Sequence, residues 1–355
     1  MSTLIERRDI GKTSADHEDR FFRGPHKCVD RRFKRPHDGG MTGWRRRASG
    51  IVAVMLSALL VGACAGELGT RVSTAGSQAP PPKAVSVQEY GATLAGAIDP
   101  LESAMKGLAN AKAYKGLDDR VAAVETAAAR AVTELSQVTP PAELAGGHSQ
   151  LDTALEAFHG ELGNVSSQVG DRALCTGSAV RAGLGDADAT SALREALAAL
   201  SAKLPGDRPV LRLPPAGQEG GSRPPNGKLL RAGNTGGRSE LTIGNGGSAD
   251  AVVTLSKGRR PVISVYVRKD KTYTVKSVPD GSYSVFFTGG SGWDGRARAF
   301  GHDCAFSRFE DPLEFRTTRD AAGGLHWVNF TITLQPVAGG TARTEDVNPD
   351  DFPDR

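Results

Sequence analysis

The chain has 355 residues, enough for two or three domains, and its composition changes sharply along its length. Residues 1–63 contain 13 Lys and Arg against 7 Asp and Glu, an excess of six positive charges, whereas the whole chain carries only +4. The part from Cys64 onward is therefore slightly negative, which excludes the general basic surface that nucleic-acid-binding proteins present.

The first forty residues are rich in Arg, Lys, His and Asp and show no apolar periodicity. A segment of this composition buries too little apolar surface to fold, so we predict that residues 1–40 are disordered. Met41 begins a more ordinary leader, which favours Met41 as the translation start and residues 1–40 as an upstream extension. A cytosolic tail that binds acidic partners is the alternative.

An uncharged apolar run over residues 51–63 follows three consecutive arginines, Arg45-Arg46-Arg47. A positive segment before a short apolar run is the layout of a secretory signal. At a rise of ~1.5 Å per residue, a helix of this length falls short of the ~30 Å hydrocarbon core of a bilayer. We therefore predict an export signal over residues 41–63 rather than a transmembrane helix or a buried core helix.

The apolar run ends in Val61-Gly62-Ala63-Cys64, which resembles the lipobox of bacterial lipoprotein signal peptides. Gly62 stands where Ala or Ser is commoner. The resemblance implies that the chain is cut before Cys64 and that a diacylglycerol is attached to the Cys64 sulfur. Two acyl chains, at ~0.8 kcal/mol per buried methylene, hold a protein on a membrane. The implied location is the extracytoplasmic face of the cell membrane.

The chain after Cys64 changes its periodicity twice. Residues 64–85 are small, polar and Pro-containing, and we predict that they form a tether. Over residues 86–204 apolar residues recur every three or four positions in four segments, which predicts an antiparallel four-helix bundle. His148 falls on the apolar stripe of the third segment and is expected to be a partly buried structural histidine.

Residues 205–239 are rich in Pro, Gly and Arg and are predicted to be a flexible linker. Over residues 240–340 the apolar period falls to two, and turn-forming residues separate the short runs, which predicts a β-sandwich. Residues 341–355 are predicted to be a frayed acidic tail. The expected fold class is α+β in separate domains, with disordered leader and linkers.

Three motifs in the β region resemble a module of other bacterial proteins: Leu241-Thr-Ile-Gly-Asn-Gly246, Val278-Pro-Asp-Gly-Ser-Tyr283 and Gly292-Trp-Asp-Gly295. The helical region with its tether resembles uncharacterised lipoproteins of high-GC Gram-positive bacteria. These resemblances imply an architecture and carry no known activity.

Cys175 and Cys304 are the two cysteines that follow Cys64. In an exported protein they are candidates for a disulfide between the helical and the β domain, which would fix the domain orientation. The alternative is that each is a buried small apolar residue.

Two further stretches contain reactive or recognition residues. In His302-Asp303-Cys304 a strand would point Asp303 away from the other two side chains, so this spacing predicts no catalytic group. Trp293 and Asp294 are candidate ligand contacts at one end of the sandwich; alternatively, the indole caps the core and Asp294 closes the turn. No motif for a metal or cofactor occurs in the sequence, and we expect neither, nor enzyme activity.

These features predict a lipid-anchored protein whose domains act as binding or scaffolding modules at the outer face of the cytoplasmic membrane. The expected partner is an envelope protein or a cell-wall polymer, and not nucleic acid. The alternatives are an envelope hydrolase with an unrecognised site and a small-ligand carrier with a pocket between the helices. A hydrolase predicts converging titratable groups, a carrier an apolar cavity, and a scaffold an exposed apolar patch.

Overall fold

The computed structural model describes residues 2–12, 83–111, 113–206, 208–217, 221–233, 236–338 and 340–353. The predicted signal peptide over 41–63, Cys64 and most of the predicted tether lie outside the described residues. Within the described ranges, none of the helices combines the length and the apolarity needed to span a bilayer.

Five helices follow the start of the described central segment. They are α1 (Val87–Ala109), α2 (Leu117–Ser136), α3 (Ala145–Gly170), α4 (Gly177–Asp186) and α5 (Asp188–Ser201). A capping box starts α1, because the Ser86 side chain accepts a hydrogen bond from the Glu89 amide and the Glu89 carboxylate accepts one from the Ser86 amide. The fourth predicted segment is two helices, because Ala187 has extended backbone angles that interrupt it.

The apolar stripes of the helices form one buried core, in which α1 packs on α2, α2 on α3, and α3 on α5. His148 lies in this core, with only 7% of its surface exposed. Its Nδ1 atom is 2.9 Å from the Tyr90 hydroxyl and its Nε2 atom is 3.1 Å from an Asp152 carboxylate oxygen. The prediction of a structural histidine is confirmed.

The strands occupy both ends of the described chain. They are β1 (Ser2–Thr3), β2 (Ile5–Lys12), β3 (Lys228–Arg231), β4 (Ser239–Asn245), β5 (Asp250–Lys257), β6 (Arg260–Val267), β7 (Lys271–Val278), β8 (Gly281–Asp294), β9 (Ala299–Phe309), β10 (Leu313–Phe315), β11 (Thr317–Arg319), β12 (Leu325–Thr333) and β13 (Ala342–Asp346). A single 3-10 turn, Pro349–Asp351, follows β13.

The described strands form two sheets. One runs in the order β1-β13-β9-β8-β5-β6-β3, with β10 paired to β8, and the other runs β11-β12-β4-β7, with β2 paired to β12. Alternate residues of β4 are buried, as expected for a strand with one face on a core. Leu241 of β4, Val253 of β5 and Ile332 of β12 belong to one apolar cluster, so both sheets contribute to the same core.

The prediction of disorder over residues 1–40 is wrong for residues 2–12. β2 lies antiparallel to β12, with Ile5 opposite Ile332 and Lys12 opposite Leu325. The local composition of this segment favours disorder, but a distant strand edge supplies hydrogen-bond partners and Ile5 packs against the core of the sheets. Residues 13–40 lie outside the described part of the chain.

The predicted flexible linker is also structured where it is described. The buried Glu102 carboxylate accepts hydrogen bonds from the backbone amide of Arg212 at 2.6 Å and from its guanidinium at 2.7 Å. Arg194 donates to the carbonyl of Pro214 at 2.8 Å, and β3 pairs with β6. Composition does not reveal that the linker is structured, because its hydrogen-bond partners belong to the helices and the sheet.

The C-terminal segment is not frayed over residues 341–353. β13 pairs with β9, and Phe352 is buried with its ring centroid 5.4 Å from that of Phe286. An isolated aromatic residue in an acidic tail is thus part of a core formed by the neighbouring sheet. The helices and both sheets belong to one compact unit rather than to separate domains.

Candidate functional site

The helical and β regions meet where the segment after α3 runs along β9. The Cys175 amide donates to the Gly301 carbonyl at 2.8 Å, and the Cys304 amide donates to the Arg172 carbonyl at 3.0 Å. Backbone hydrogen bonds of this kind fix one element against another without depending on side-chain rotamers. The junction is therefore an extension of the sheet into the helical region.

Cys175 and Cys304 form a disulfide at this junction, with their Cα atoms 6.4 Å apart. Both residues are buried. The bridge ties two positions that are 129 residues apart in the sequence and belong to different regions. Because the Cys304 sulfur is bonded, His302-Asp303-Cys304 does not offer a thiolate nucleophile.

Trp293 is buried, with only 5% of its surface exposed, which agrees with the alternative that its indole caps the core. Its indole packs edge-on against Tyr266 and Phe300, with ring centroids 5.3 and 5.2 Å apart. Glycines flank the Trp-Asp pair in the sequence, which suggested an open loop, but the residue lies at the end of β8 and points into an aromatic cluster.

Asp294 has a structural role beside this cluster. Its carboxylate accepts hydrogen bonds from the amides of Arg296 at 2.7 Å and Ala297 at 3.0 Å, which closes the turn between β8 and β9. The Ser178 hydroxyl of α4 also donates to it. Burial would raise the pKa of Asp294, but these hydrogen bonds outweigh burial and lower the pKa.

A pocket of about 270 Å³ opens beside the disulfide. We call it the junction pocket. Its walls come from the loop between α1 and α2, from β8, β9 and the turn between them, and from the 3-10 turn and the segment after it. Both disulfide cysteines line it. The carrier alternative placed a pocket between the helices, whereas this apolar pocket lies where the helices meet the sheet.

Aromatic side chains form much of the wall of the junction pocket. The Phe306 ring lies 5.8 Å from the Tyr114 ring and 5.5 Å from the Phe352 ring, measured between centroids. The Tyr114 hydroxyl donates to the Val169 carbonyl at 3.2 Å, which fixes this side chain against α3. An apolar cavity of about 150 Å³ is enough to hold benzene, so the junction pocket has room for a somewhat larger apolar group.

The charged side chains in the described lining of the junction pocket are Lys115 and Arg298, and no acidic side chain lines it. Both basic side chains are exposed, whereas Phe300 and Phe352 are buried. The described lining therefore combines an apolar interior with two exposed basic side chains. Sites of this type bind apolar groups in the interior and use a few polar contacts to orient the ligand.

Asp250 supports the aromatic cluster from the opposite side. Its carboxylate accepts two hydrogen bonds of 2.7 Å from the Arg223 guanidinium and one of 2.6 Å from the Tyr266 hydroxyl. The Lys269 amide donates a fourth at 2.8 Å. Burial would raise the pKa of Asp250, but these donors outweigh burial and lower its pKa to about 2.

Replacing Asp250 by Asn is expected to lower the free energy of unfolding by about 2 kcal/mol above pH 4, which corresponds to the depressed pKa of the folded state. A lowered folded-state pKa gives stability that is complete above the unfolded-state pKa and is lost as the pH falls through the folded-state value. The difference between the two proteins should therefore shrink between pH 4 and pH 2. Urea unfolding at several pH values measures it.

Asp303→Asn is the matched control for Asp250→Asn, because Asp303 is exposed and its amide analogue tolerates the same positive φ. It should change stability by less than about 0.5 kcal/mol. A stability difference for Asp250→Asn that stays constant from pH 7 to pH 2 would contradict the charged network.

Sequence reasoning identified the two cysteines of the junction pocket and missed its aromatic walls. Tyr114 stands in a loop and Phe352 in an acidic tail, where neither strand nor helix periodicity marks them. No protein-family model, curated protein or solved structure matches this chain. The chemistry of the junction pocket is therefore the structural guide to function.

Proposed function

We propose that this chain is a lipid-anchored envelope protein that binds a small ligand with an apolar group and an anionic group. The observation that carries the proposal is the junction pocket, with its aromatic interior and its basic residues Lys115 and Arg298. The export signal and the lipobox ending at Cys64 support a location at the outer face of the cytoplasmic membrane. An amphiphilic ligand is available at such a surface.

The proposed architecture is an antiparallel four-helix bundle fused to a β-sandwich. The successive packing of α1, α2, α3 and α5 supports the bundle, with α4 as the element that faces β9. The apolar cluster shared by the two sheets supports the sandwich. In this arrangement the disulfide joins bundle to sandwich beside the ligand.

We favour a carrier over a scaffold because of how apolar surface is distributed. Among the described residues, the large apolar side chains with high exposure are Val210 and Leu229, whereas a scaffold was expected to expose an apolar or aromatic patch. Four aromatic residues instead line the junction pocket: Tyr114, Phe300, Phe306 and Phe352. The proposed role is binding and not catalysis, and the hydrolase alternative gains no support from Cys304.

Filling the junction pocket is expected to abolish ligand binding. The probe is 1-anilinonaphthalene-8-sulfonate, which has fused aromatic rings and one anionic group. Ala299 lines the pocket, and Ala299→Trp should weaken the binding of this probe at least tenfold because the indole would occupy the cavity. Fluorescence titration measures the affinity.

Ala305→Trp is the matched control, since Ala305 lies on the same strand but is exposed and outside the pocket lining. It should leave the affinity for the probe unchanged. Equal affinity of wild type and Ala299→Trp would contradict the pocket. If the wild type bound the neutral analogue N-phenyl-1-naphthylamine as tightly as the anionic probe, the role of Lys115 and Arg298 would be contradicted.

Replacing Cys64 by Ser is expected to abolish lipidation and to release the protein from the membrane fraction, because the thioether to the diacylglycerol needs the sulfur atom. Labelling with a fatty-acid analogue and membrane fractionation measure the two effects. A wild-type chain that takes up no label, together with a variant that stays in the membrane fraction, would disprove the anchor.

A further inference from the structure

We propose that the edge of β12 occupied by β2 is a binding site for an extended segment of a partner protein in the envelope. The inference rests on the proposed function, because cleavage before Cys64 removes residues 1–63 and with them β1 and β2. Pairing of β2 with β12 also requires both strands on the same side of the membrane. In the mature chain this edge of β12 is therefore open.

The register shows that β2 covers one whole edge of β12. Trp327 is opposite Ile10 of β2 on one side and opposite Thr317 of β11 on the other. Farther along the strand, Phe330 pairs with β2 on the same side and with β4 on the other. β11 and β4 thus share the inner edge of β12, and no other described strand pairs with the outer one.

An open edge of this length is a strong template for strand addition. It exposes unpaired N–H and C=O groups, which proteins usually protect with Lys, Pro or a bulge. β12 reads Leu-His-Trp-Val-Asn-Phe-Thr-Ile-Thr and contains neither Lys nor Pro. Its eight pairs with β2 continue without a shift in register. Recognition by strand addition takes its affinity from main-chain hydrogen bonds and its specificity from alternate side chains.

β2 shows which side chains the site accepts. Ile5 is half-buried and packs against the core shared by the two sheets. At the other end, a Cβ atom on Gly11 would come within 2.7 Å of Nδ1 of His326. The site therefore favours an aliphatic residue at the position of Ile5 and a glycine six residues later.

The charged side chains of β2 contribute little to this recognition. Arg7 pairs with Asp9 and Arg8 pairs with Glu6, so these charges are satisfied within β2 itself, and their side chains are exposed. Exposed pairs of this kind contribute about 0–1 kcal/mol. The partner is consequently defined by its extended backbone, its aliphatic residue and its glycine, and not by charge.

The test uses the protein extracted from membranes with its own lipid anchor. Mass spectrometry first determines whether the chain begins at lipidated Cys64. A fluorescein-labelled peptide with the sequence of residues 2–12 is then titrated, and its anisotropy is measured. We expect saturable binding, at least tenfold weaker binding of the Ile5→Asp peptide, and at least tenfold weaker binding of the Gly11→Val peptide.

One variant of the protein tests whether the effect of the Gly11→Val peptide comes from the contact with His326. His326→Ala removes the ring that a Cβ atom at Gly11 would meet, so it should restore binding of the Gly11→Val peptide while leaving the Ile5→Asp peptide weak. A chain that retains residues 1–63 would overturn both the proposed anchor and this inference. A chain that begins at Cys64 and ignores the peptide, or that pairs as a dimer unaffected by the peptide, would overturn this inference alone.

Discussion

Loss of the Cys175–Cys304 disulfide should lower the free energy of unfolding by about 4–5 kcal/mol, because the bridge closes a loop whose ends are 129 residues apart. The cross-link restricts the unfolded chain, and the entropic benefit grows with the length of the closed loop. Urea unfolding of the wild type with and without a reductant, and of the Cys175→Ala/Cys304→Ala double variant, measures this effect.

The double variant also provides the control for the disulfide. A reductant should destabilise the wild type and leave the double variant unchanged, because the double variant lacks the bridge. Both cysteines line the junction pocket, so the double variant should also bind the anionic probe more weakly. Two freely alkylated thiols at Cys175 and Cys304, in protein isolated from its native cells without a reductant, would contradict the bridge.

Replacing Trp293 by Ala should lower the free energy of unfolding by about 3–5 kcal/mol, as truncation of a large buried aromatic side chain does. The indole contacts Tyr266 and Phe300, and Tyr266 also holds the buried Asp250 carboxylate, so the cavity would form beside a charged group. Urea unfolding monitored by circular dichroism measures the change without depending on the removed tryptophan.

Trp327→Ala is the matched control for Trp293→Ala. Trp327 lies on β12 and is only partly buried, so its truncation should cost less than half as much. A Trp293→Ala protein with wild-type stability and lost probe binding would show that the indole is a ligand contact after all. The structure predicts the reverse result for Trp293→Ala. Stability should fall strongly, and probe binding should weaken only because Phe300 is disturbed.

Sequence periodicity predicted most of the interior. The helical stripes in the segment from residue 86 to 204 are buried, and the apolar runs at Leu241, Val262 and Trp327 all lie in strands. Periodicity succeeds here because a helix or strand with one buried face repeats its apolar residues along the local chain. The interruption at Ala187 was missed because it does not disturb the apolar spacing on either side.

The wrong predictions of disorder share one physical origin, which is contact with distant parts of the chain. Residues 2–12, the described parts of 205–239 and the segment 341–353 have compositions typical of disorder, yet each is ordered by contacts with distant elements. A local window contains no information about a strand edge, a buried carboxylate or an aromatic ring from another part of the chain. For Trp293 the flanking glycines left two interpretations open, a ligand contact or an indole that caps the core, and only the tertiary structure shows the cluster that covers the indole.

By itself, the sequence determined the types of most elements, the change of net charge between residues 1–63 and the rest of the chain, and the prediction of a lipidated Cys64. The tertiary structure decided which segments pair with which strand edges and that Cys175 lies beside Cys304. It also decided that aromatic residues from three distant segments line the junction pocket. The difference between these two sets of conclusions comes from the sequence separation of the interacting residues. Local periodicity and short motifs depend on neighbours in the chain, whereas pockets and strand edges depend on residues that only folding brings together.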